Sequence, residues 1–237
     1  QLAVIGGMDR VFMTVPVFRA EKHNTTTHLN EILQMDAEMG FCDHSDAMDV
    51  LEQVMLNILS SVKKNCPDLL ENACAKISVP EKVPRYAYSD CVKRLEGAGA
   101  AMEWGGDFTK EQEKKLFSLI PEELFFITDW PTKARAFYSM PREDDPEICN
   151  AFDLVYKGLE ISSGAQRIHR ADVLVSALKA RGLDPEAFEF YVNAFRMGAP
   201  PHAGWSIGLE RLTMKLTGKE NIREACLFPR DRTRLTP

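Results

Sequence analysis

The order of elements along the chain predicts an α+β fold, an antiparallel β-sheet flanked by helices. Three observations carry that reading: an early pair of strand-like runs around a polar loop, helical periodicities interleaved later, and short apolar runs bounded by prolines and glycines. The bulk numbers agree, since 237 residues at 45% hydrophobic and 27% charged suffice for a core and exclude a disordered chain. With 14 Gly and 13 Pro the chain is not of low complexity. A formal charge of −6 argues against non-specific adhesion to nucleic acid and leaves room for a local basic groove.

Residues 10–21 open with a β-branched and aromatic run (Val11, Phe12, Val15, Val17, Phe18), the composition of a buried strand ending in charge. After the polar loop His23 to His28, residues 29–41 alternate. Gln34, Asp36 and Glu38 share one parity and Leu33, Met35 and Met39 the other, so a strand here carries three polar groups on one face. The two runs predict a long-loop antiparallel hairpin. Whether its polar face is merely solvated or lines a site stays open at this point.

Ser45-Asp46 starts a packing helix whose apolar Leu51, Val54, Met55, Ile58 and Val62 recur at helical spacing up to Lys63-Lys64. Pro80, Pro84 and the small residues 97–101 surround a helix at 89–95, and 111–119 is a short charged helix, so the stretch 45–120 is expected to be a helical insertion. Residues 123–130, between Pro121 and Pro131, predict a central strand; 151–156 predict another, leading through Gly158 into 159–169. Asp172 begins a helix closed by Gly182 at C′, and Asp184-Pro185-Glu186 opens one running to Gly198. The end is extended from Pro200 to Gly208 and helical over 209–217.

Six cysteines (Cys42, Cys66, Cys74, Cys91, Cys149, Cys226) at irregular spacing, with no CxxC pair, predict reduced thiols packed in a cytoplasmic interior and no zinc site. Neither a signal peptide nor a membrane span is legible, and the opening at Gln1 in mid-pattern suggests the C-terminal portion of something longer.

Chemistry enters through charge in apolar surroundings. Arg19 and Glu21 follow Val17-Phe18, Asp153 lies between Phe152 and Leu154, Arg167 precedes Ile168, and Leu209 and Leu212 flank Arg211. Each alone reads as a structural ion pair. Together, three arginines and two or three acids on one sheet face suit a polyanionic ligand and its divalent metal, because guanidinium forks match phosphate and carboxylate oxygens.

The runs Val17-Phe18-Arg19-Ala20-Glu21, His28-Leu29-Asn30-Glu31 and Gln34-Met35-Asp36-Ala37-Glu38-Met39 resemble motif 2 of the class II aminoacyl-tRNA synthetases. Gly204-Trp205-Ser206-Ile207-Gly208-Leu209-Glu210-Arg211-Leu212 resembles motif 3. Residues 160–169, with Ser162-Ser163-Gly164-Ala165-Gln166-Arg167, and the ending Phe228-Pro229-Arg230-Asp231 are similar to aspartyl-tRNA synthetases of the archaeal and eukaryotic type. The resemblance covers nearly the whole chain and implies a catalytic domain that activates L-aspartate with ATP and Mg²⁺ and then charges tRNA(Asp), as a homodimer without membrane attachment. It implies that Arg19 stabilises the phosphoryl oxygens under attack, that Glu21 bonds the adenine amino group and that Arg211 holds the γ-phosphate end, while His28 or another side chain would cover the adenine ring. It further implies Asp153, Glu160 and Ser163 as metal ligands, Glu160 also facing ATP. Arg167 would fork the side-chain carboxylate of aspartate, with Ser163 nearby, and Gln34 and Asp36 would meet its ammonium group. The loop 22–28 would touch the tRNA acceptor end and move freely without it.

Two positions depart from the family's pattern: Thr27 replaces a common arginine, and Ile32 a phenylalanine that stacks on adenine in many class II enzymes. Motif 1, with its dimer contacts, and an anticodon-binding β-barrel are expected upstream of Gln1. Four functions therefore stand beside one another: aspartylation of tRNA(Asp), with or without tRNA(Asn); an asparagine synthetase passing aspartyl-adenylate to ammonia; an asparaginyl-tRNA synthetase; and a non-catalytic paralogue.

Overall fold

A computed structural model describes residues 1–20 and 24–236. Among these residues seven strands form one sheet in the order β1-β2-β7-β6-β5-β4-β3: β1 (Arg10–Phe18), β2 (Glu31–Gly40), β3 (Arg85–Ala87), β4 (Leu124–Pro131), β5 (Ile148–Tyr156), β6 (Leu159–Gln166) and β7 (His202–Gly208). Neighbours run antiparallel as predicted except at one edge, where β3 lies parallel to β4 and makes the sheet mixed. The hairpin is present, with Arg10 opposite Met39 and Phe18 opposite Glu31.

Alternation divides the sheet. On one face Met39, Phe152, Leu154, Tyr156, Ala203, Trp205 and Ile207 pack with Leu51, Met55 and Leu59 of α2 (His44–Asn65). Each fully buried side chain of this size stabilises the fold by about 1.5–3 kcal/mol. Asp43 caps α2 by accepting from the backbone of Ser45 (2.7 Å) and Asp46 (3.1 Å), and Asp46 returns the bond, so the helix begins at His44, one residue before the predicted start. On the other face the β4 end is roofed by α4 (Tyr88–Gly97) and α5 (Lys110–Leu119), while α6 (Ala171–Ala180) and α7 (Glu189–Arg196) enclose Ile168 in a smaller cluster. Between these roofs the face stays open.

Several expectations are corrected. The stretch 45–120 is not appended to the domain. Its α2 covers the main core, and β3, hidden in the sequence by its three-residue length beside Pro80 and Pro84, extends the sheet edge. The short helices α1 (Leu2–Ile5) and α3 (Pro67–Asn72) also went unpredicted. β1, expected to be buried, is an edge strand with Phe12 84% and Phe18 74% exposed, because β-propensity reports fit to a pleat and not what covers it. The helix after Asp184 starts as a 3₁₀ turn (Pro185–Phe188) before α7. All six cysteines are free thiols, but only Cys91 and Cys149 are packed in the interior, where burial pushes them up to about 12 and about 11; Cys42, Cys66 and Cys226 are half-buried and Cys74 is exposed. Among the described residues no helix is long and apolar enough to cross a membrane.

Candidate active site

Register explains how residues more than a hundred positions apart meet. Across the open face, Asp36 of β2 stands opposite Ser206 of β7, Ser206 opposite Ser163 of β6, and Ser163 opposite Asp153 of β5. One pleat along, Glu38, Gly204, Ala165 and Ala151 form a second row. The middle of both rows is filled by Ser206, Ser163, Gly204 and Ala165, whose small side chains leave a low floor. Above it lies a cavity of about 500 Å³, lined by Arg19, His28, Gln34, Glu160, Ser163, Arg167 and Arg211 among others. Seven of the ten predicted site residues therefore share one pocket.

Gly204 has a steric role, since a Cβ there would sit 2.1 Å from Oε2 of Glu38 and 2.3 Å from the Ala37 carbonyl. The space it leaves admits the Glu38 carboxylate. Arg167, just past β6, donates to that carboxylate from Nε (2.9 Å) and Nη2 (3.1 Å), and its guanidinium lies 5.4 Å from the Tyr138 ring centroid. One edge of the fork expected to face a substrate is thus already taken. Asp36 stands one strand beyond Ser206, outside the cavity lining, with Oδ1 buried and, among the described residues, without a hydrogen-bond partner; the Ser206 hydroxyl is likewise open.

At the other end Arg211, in α8 (Leu209–Leu216), donates to the carbonyls of Thr27 (3.2 Å) and Glu160 (3.0 Å) and meets Nε2 of His28 at 3.0 Å. A guanidinium only donates, so Nε2 accepts, and the ring proton sits on Nδ1 facing the hydroxyls of Thr25 (2.7 Å) and Thr27 (3.1 Å). Glu210, also part of the lining, accepts from the Leu33 amide at 2.9 Å and ties α8 to β2. Ile32, where the resemblance expected an aromatic, approaches the lining as an aliphatic wall.

Glu160 arrives by a bulge. Ser162 pairs with Leu154 but Glu160 with Val155, so an extra residue, Ile161, is fitted into β6 and brings Glu160 to the face of Ser163 and Asp153. Burial and then the neighbouring Asp153 push the Glu160 carboxyl up to about 7, against the pull of Arg211 and Arg135. Its side chain nevertheless keeps 39% of its surface, so solvent tempers the energetic consequence. Asp153 lies outside the lining, ion-paired with Arg135, and its Oδ1 is buried without a partner among the described residues. Among the described residues no group of three or more His, Cys, Asp or Glu could hold a metal. Two crowded carboxylates, an orphaned acceptor oxygen and an adjacent hydroxyl do fit Mg²⁺, which takes one or two carboxylates and completes its shell with phosphate oxygens and water.

Glu21, the predicted adenine contact, lies outside the described residues, as do Lys22 and His23. The described part of that loop is hydrogen-bonded to the C-terminal segment. Arg223 donates to the Thr25 carbonyl (2.9 Å) and to Asn24 Oδ1, the Ile222 amide bonds the Thr26 carbonyl (2.8 Å), and Asp231 accepts from Arg223 (2.8 Å). Sequence reasoning also missed Arg135, Tyr138 and Ser139 of the lining and the role of Glu38, although the parity of Gln34, Asp36 and Glu38 had placed the last on this face. Nothing local marks Arg135, a loop residue without periodicity.

The sequence model of the family described as "tRNA synthetases class II (D, K and N)" matches residues 1–232. The Aspartate--tRNA(Asp/Asn) ligase of Methanocaldococcus jannaschii is 50% identical over 238 residues, taking in 100% of this chain and 54% of that protein. The Aspartate--tRNA(Asp) ligase of Thermoplasma volcanium is 47% identical over 239 residues, with 100% and 55% covered. Among solved structures, an aspartyl tRNA synthetase from Entamoeba histolytica matches with a TM-score of 0.93 at 38% identity, covering 100% of this chain and 51% of that one. An asparaginyl-tRNA synthetase from Pyrococcus horikoshii complexed with asparaginyl-adenylate matches with a TM-score of 0.93 at 30% identity, covering 100% and 56%. The chain spans about half the length of the curated relatives it matches.

Proposed function

Because the chain belongs to the class II tRNA synthetases of the aspartate, lysine and asparagine group, we propose that it is the catalytic part of an enzyme that joins L-aspartate to ATP as aspartyl-adenylate and passes the aspartyl group to tRNA(Asp). One observation carries the substrate assignment: the buried Arg167 guanidinium, locked by Glu38, at the end of the cavity. With Nε and one Nη2 hydrogen committed, the remaining N–H groups still offer donors only. A carboxylate accepts from them with both oxygens; the amide of asparagine accepts with one and sets its own NH₂ against donors. The mismatch costs about 1–3 kcal/mol, roughly five- to 150-fold in selectivity. Since Glu38 already neutralises Arg167, donor geometry more than net charge makes the choice, which refines the expectation from sequence.

In the first step an oxygen of the aspartate α-carboxylate attacks the α-phosphorus of ATP, and the bond to pyrophosphate breaks. Arg19, on the cavity wall, meets the charge building on the phosphoryl oxygens, and Arg211, held by the Thr27 and Glu160 carbonyls and by His28, holds the γ-phosphate end. Glu21 is assigned to the adenine amino group. Asp153, Glu160 and Ser163 would hold Mg²⁺, which when bound neutralises the phosphates. Asp36, with its open Oδ1, and Gln34 take the amino acid's ammonium group. In the second step a terminal hydroxyl of tRNA attacks the aspartyl carbonyl and AMP leaves; the anchored residues 24–28 form the rim nearest that acceptor end. The exposed Phe12 and Phe18 on edge strand β1 support a homodimer in which a second copy covers them.

The test is pyrophosphate exchange on the intact protein with aspartate and, separately, asparagine, followed by charging of tRNA(Asp) and tRNA(Asn) and by an ammonia acceptor. Aspartate-dependent exchange and tRNA(Asp) charging are expected. Exchange with asparagine alone would assign the asparaginyl activity, transfer to ammonia the amidating one, and no exchange a non-catalytic paralogue.

A further inference from the structure

The ion pair between Arg135 and Asp153 is incomplete on both sides. Nη2 of Arg135 reaches Oδ2 of Asp153, while Nε of Arg135 and Oδ1 of Asp153 are buried and lack a hydrogen-bond partner among the described residues. Interior donors and acceptors are rarely left open, and a pair bordering a cavity keeps them open where a ligand completes them. Arg135 lines the cavity and Asp153 lies behind it.

The surroundings of Arg135 allow movement at one end only. From behind, Arg181 donates through Nη2 to the carbonyls of Thr132 (2.7 Å) and Arg135 (2.5 Å), which fixes the backbone. In front, the guanidinium lies 3.7 Å from the centroid of the Trp130 ring. A guanidinium on a flat π-face can slide without losing that contact, whereas a lysine ammonium lacks the planar match. The result is a charged arm with a fixed shoulder and a smooth bearing.

We propose that Arg135 is an exchangeable counter-ion of the nucleotide site: it neutralises Asp153 before nucleotide binds, yields that carboxylate to the divalent cation, and turns its freed N–H groups to a phosphate oxygen. The proposal rests on the ATP and Mg²⁺ reading above. A phosphate is the target rather than the aspartate side chain, because Arg167 with Glu38 already serves the amino-acid end, and Arg135 shares its acid with the Glu160 and Arg211 end. Arg135 is thereby a substrate-contacting residue that no sequence motif had marked.

The test compares the intact wild-type protein with Arg135→Gln and Arg135→Lys in three measurements: Mn²⁺ binding without nucleotide by electron paramagnetic resonance, calorimetric binding of ATP and adenosine with Mg²⁺, and KM for aspartate. Arg135→Gln is expected to bind Mn²⁺ about fivefold more tightly, because Asp153 is no longer shared, and ATP about tenfold more weakly, with adenosine and aspartate unchanged. Opposite movement of the metal and ATP affinities is the signature, since a merely structural ion pair would lower both. Joint loss, or no change in either, overturns the proposal, and so does weakened aspartate binding with intact ATP binding, which would assign the guanidinium to the amino acid. If Arg135→Gln does not fold, Arg135→Lys decides: Mn²⁺ affinity within about twofold of wild type and ATP affinity about fivefold lower support exchange, and any other pattern overturns it. Aspartate-dependent exchange by the wild type tests the underlying reading separately, because its absence defeats that reading whatever the variants do.

Discussion

The two faces of the sheet are made by the same strands and do opposite work. On the face under α2 the residues of one parity, Phe152, Leu154, Tyr156, Trp205 and Ile207, are large and closely packed. On the other face the intervening residues Asp153, Ser163, Gly204 and Ser206 are small or charged, and among the described residues Oδ1 of Asp153 and Oγ of Ser206 have no partner. Alternation thus lets one strand secure the fold with one parity and bind ligands with the other. The comparison makes a sharp claim, that damage to either face should be separable from damage to the other.

The largest effect is expected at Arg167. Arg167→Leu removes the donors for the aspartate carboxylate and leaves Glu38 buried without its partner, a loss of about 3–5 kcal/mol when one member of a buried pair is removed. Aspartate-dependent exchange should fall by about a thousandfold while calorimetry still detects ATP binding. Adding Glu38→Leu should restore thermal stability without restoring exchange. Unchanged aspartate affinity in the single variant would remove Arg167 from its assigned role.

Next comes the packed face. Phe152→Ala should cost about 3–5 kcal/mol in denaturant unfolding, with KM for aspartate unaltered in the folded fraction. A Cβ on Gly164 would lie 2.3 Å from the Phe152 ring, so Gly164→Ala is destabilising alone and less so in the Phe152→Ala background. Additivity of the two would show that the faces are not partitioned as described.

A smaller effect concerns protons. With Glu160 pushed up to about 7 from an ordinary 4.5, the folded chain holds a proton that the unfolded chain has released between those values. Glu160 therefore contributes stability in EDTA that is lost as pH rises from 4.5 to about 7, and the difference between wild type and Glu160→Gln should shrink across that window and level off above it. Asp231 acts in a separate window. Backbone and hydroxyl donors of Thr233 with the Arg223 guanidinium hold its carboxyl well below the usual range, so its stabilisation is present above the ordinary carboxylate pKa and is lost only in stronger acid.

Much of the division between faces was legible beforehand. The parity of Gln34, Asp36 and Glu38, the acid between Phe152 and Leu154, and the glycine-bounded end all follow from period-two alternation, which acts locally. What stayed hidden was non-local or aperiodic. The three residues of β3 are too few for alternation to register. The bulge that turns Glu160 inward is a matter of pairing with β5, and the capture of Arg167 by Glu38 joins residues 129 positions apart. Arg135 gains its meaning only from Trp130 beneath it and Asp153 behind it.

The smallest effect tests a connection that neither face contains by itself. Asp231 holds Arg223, Arg223 holds the Thr25 carbonyl, Thr25 meets Nδ1 of His28, and Nε2 of His28 accepts from Arg211 at the cavity. Through this chain of hydrogen bonds the C-terminal segment orients a nucleotide-facing guanidinium without touching the ligand. Arg223→Met should loosen Arg211 by about the net value of one hydrogen bond, 1 kcal/mol, raising KM for ATP about fivefold with little change in kcat or in KM for aspartate. The ¹⁵N shifts of the His28 ring should report the loss independently, through the link from Arg223 by way of Thr25 to that imidazole. If the ring signals move while KM for ATP does not, Arg211 is positioned by the Thr27 and Glu160 carbonyls alone, and the C-terminal segment serves the loop rather than the nucleotide.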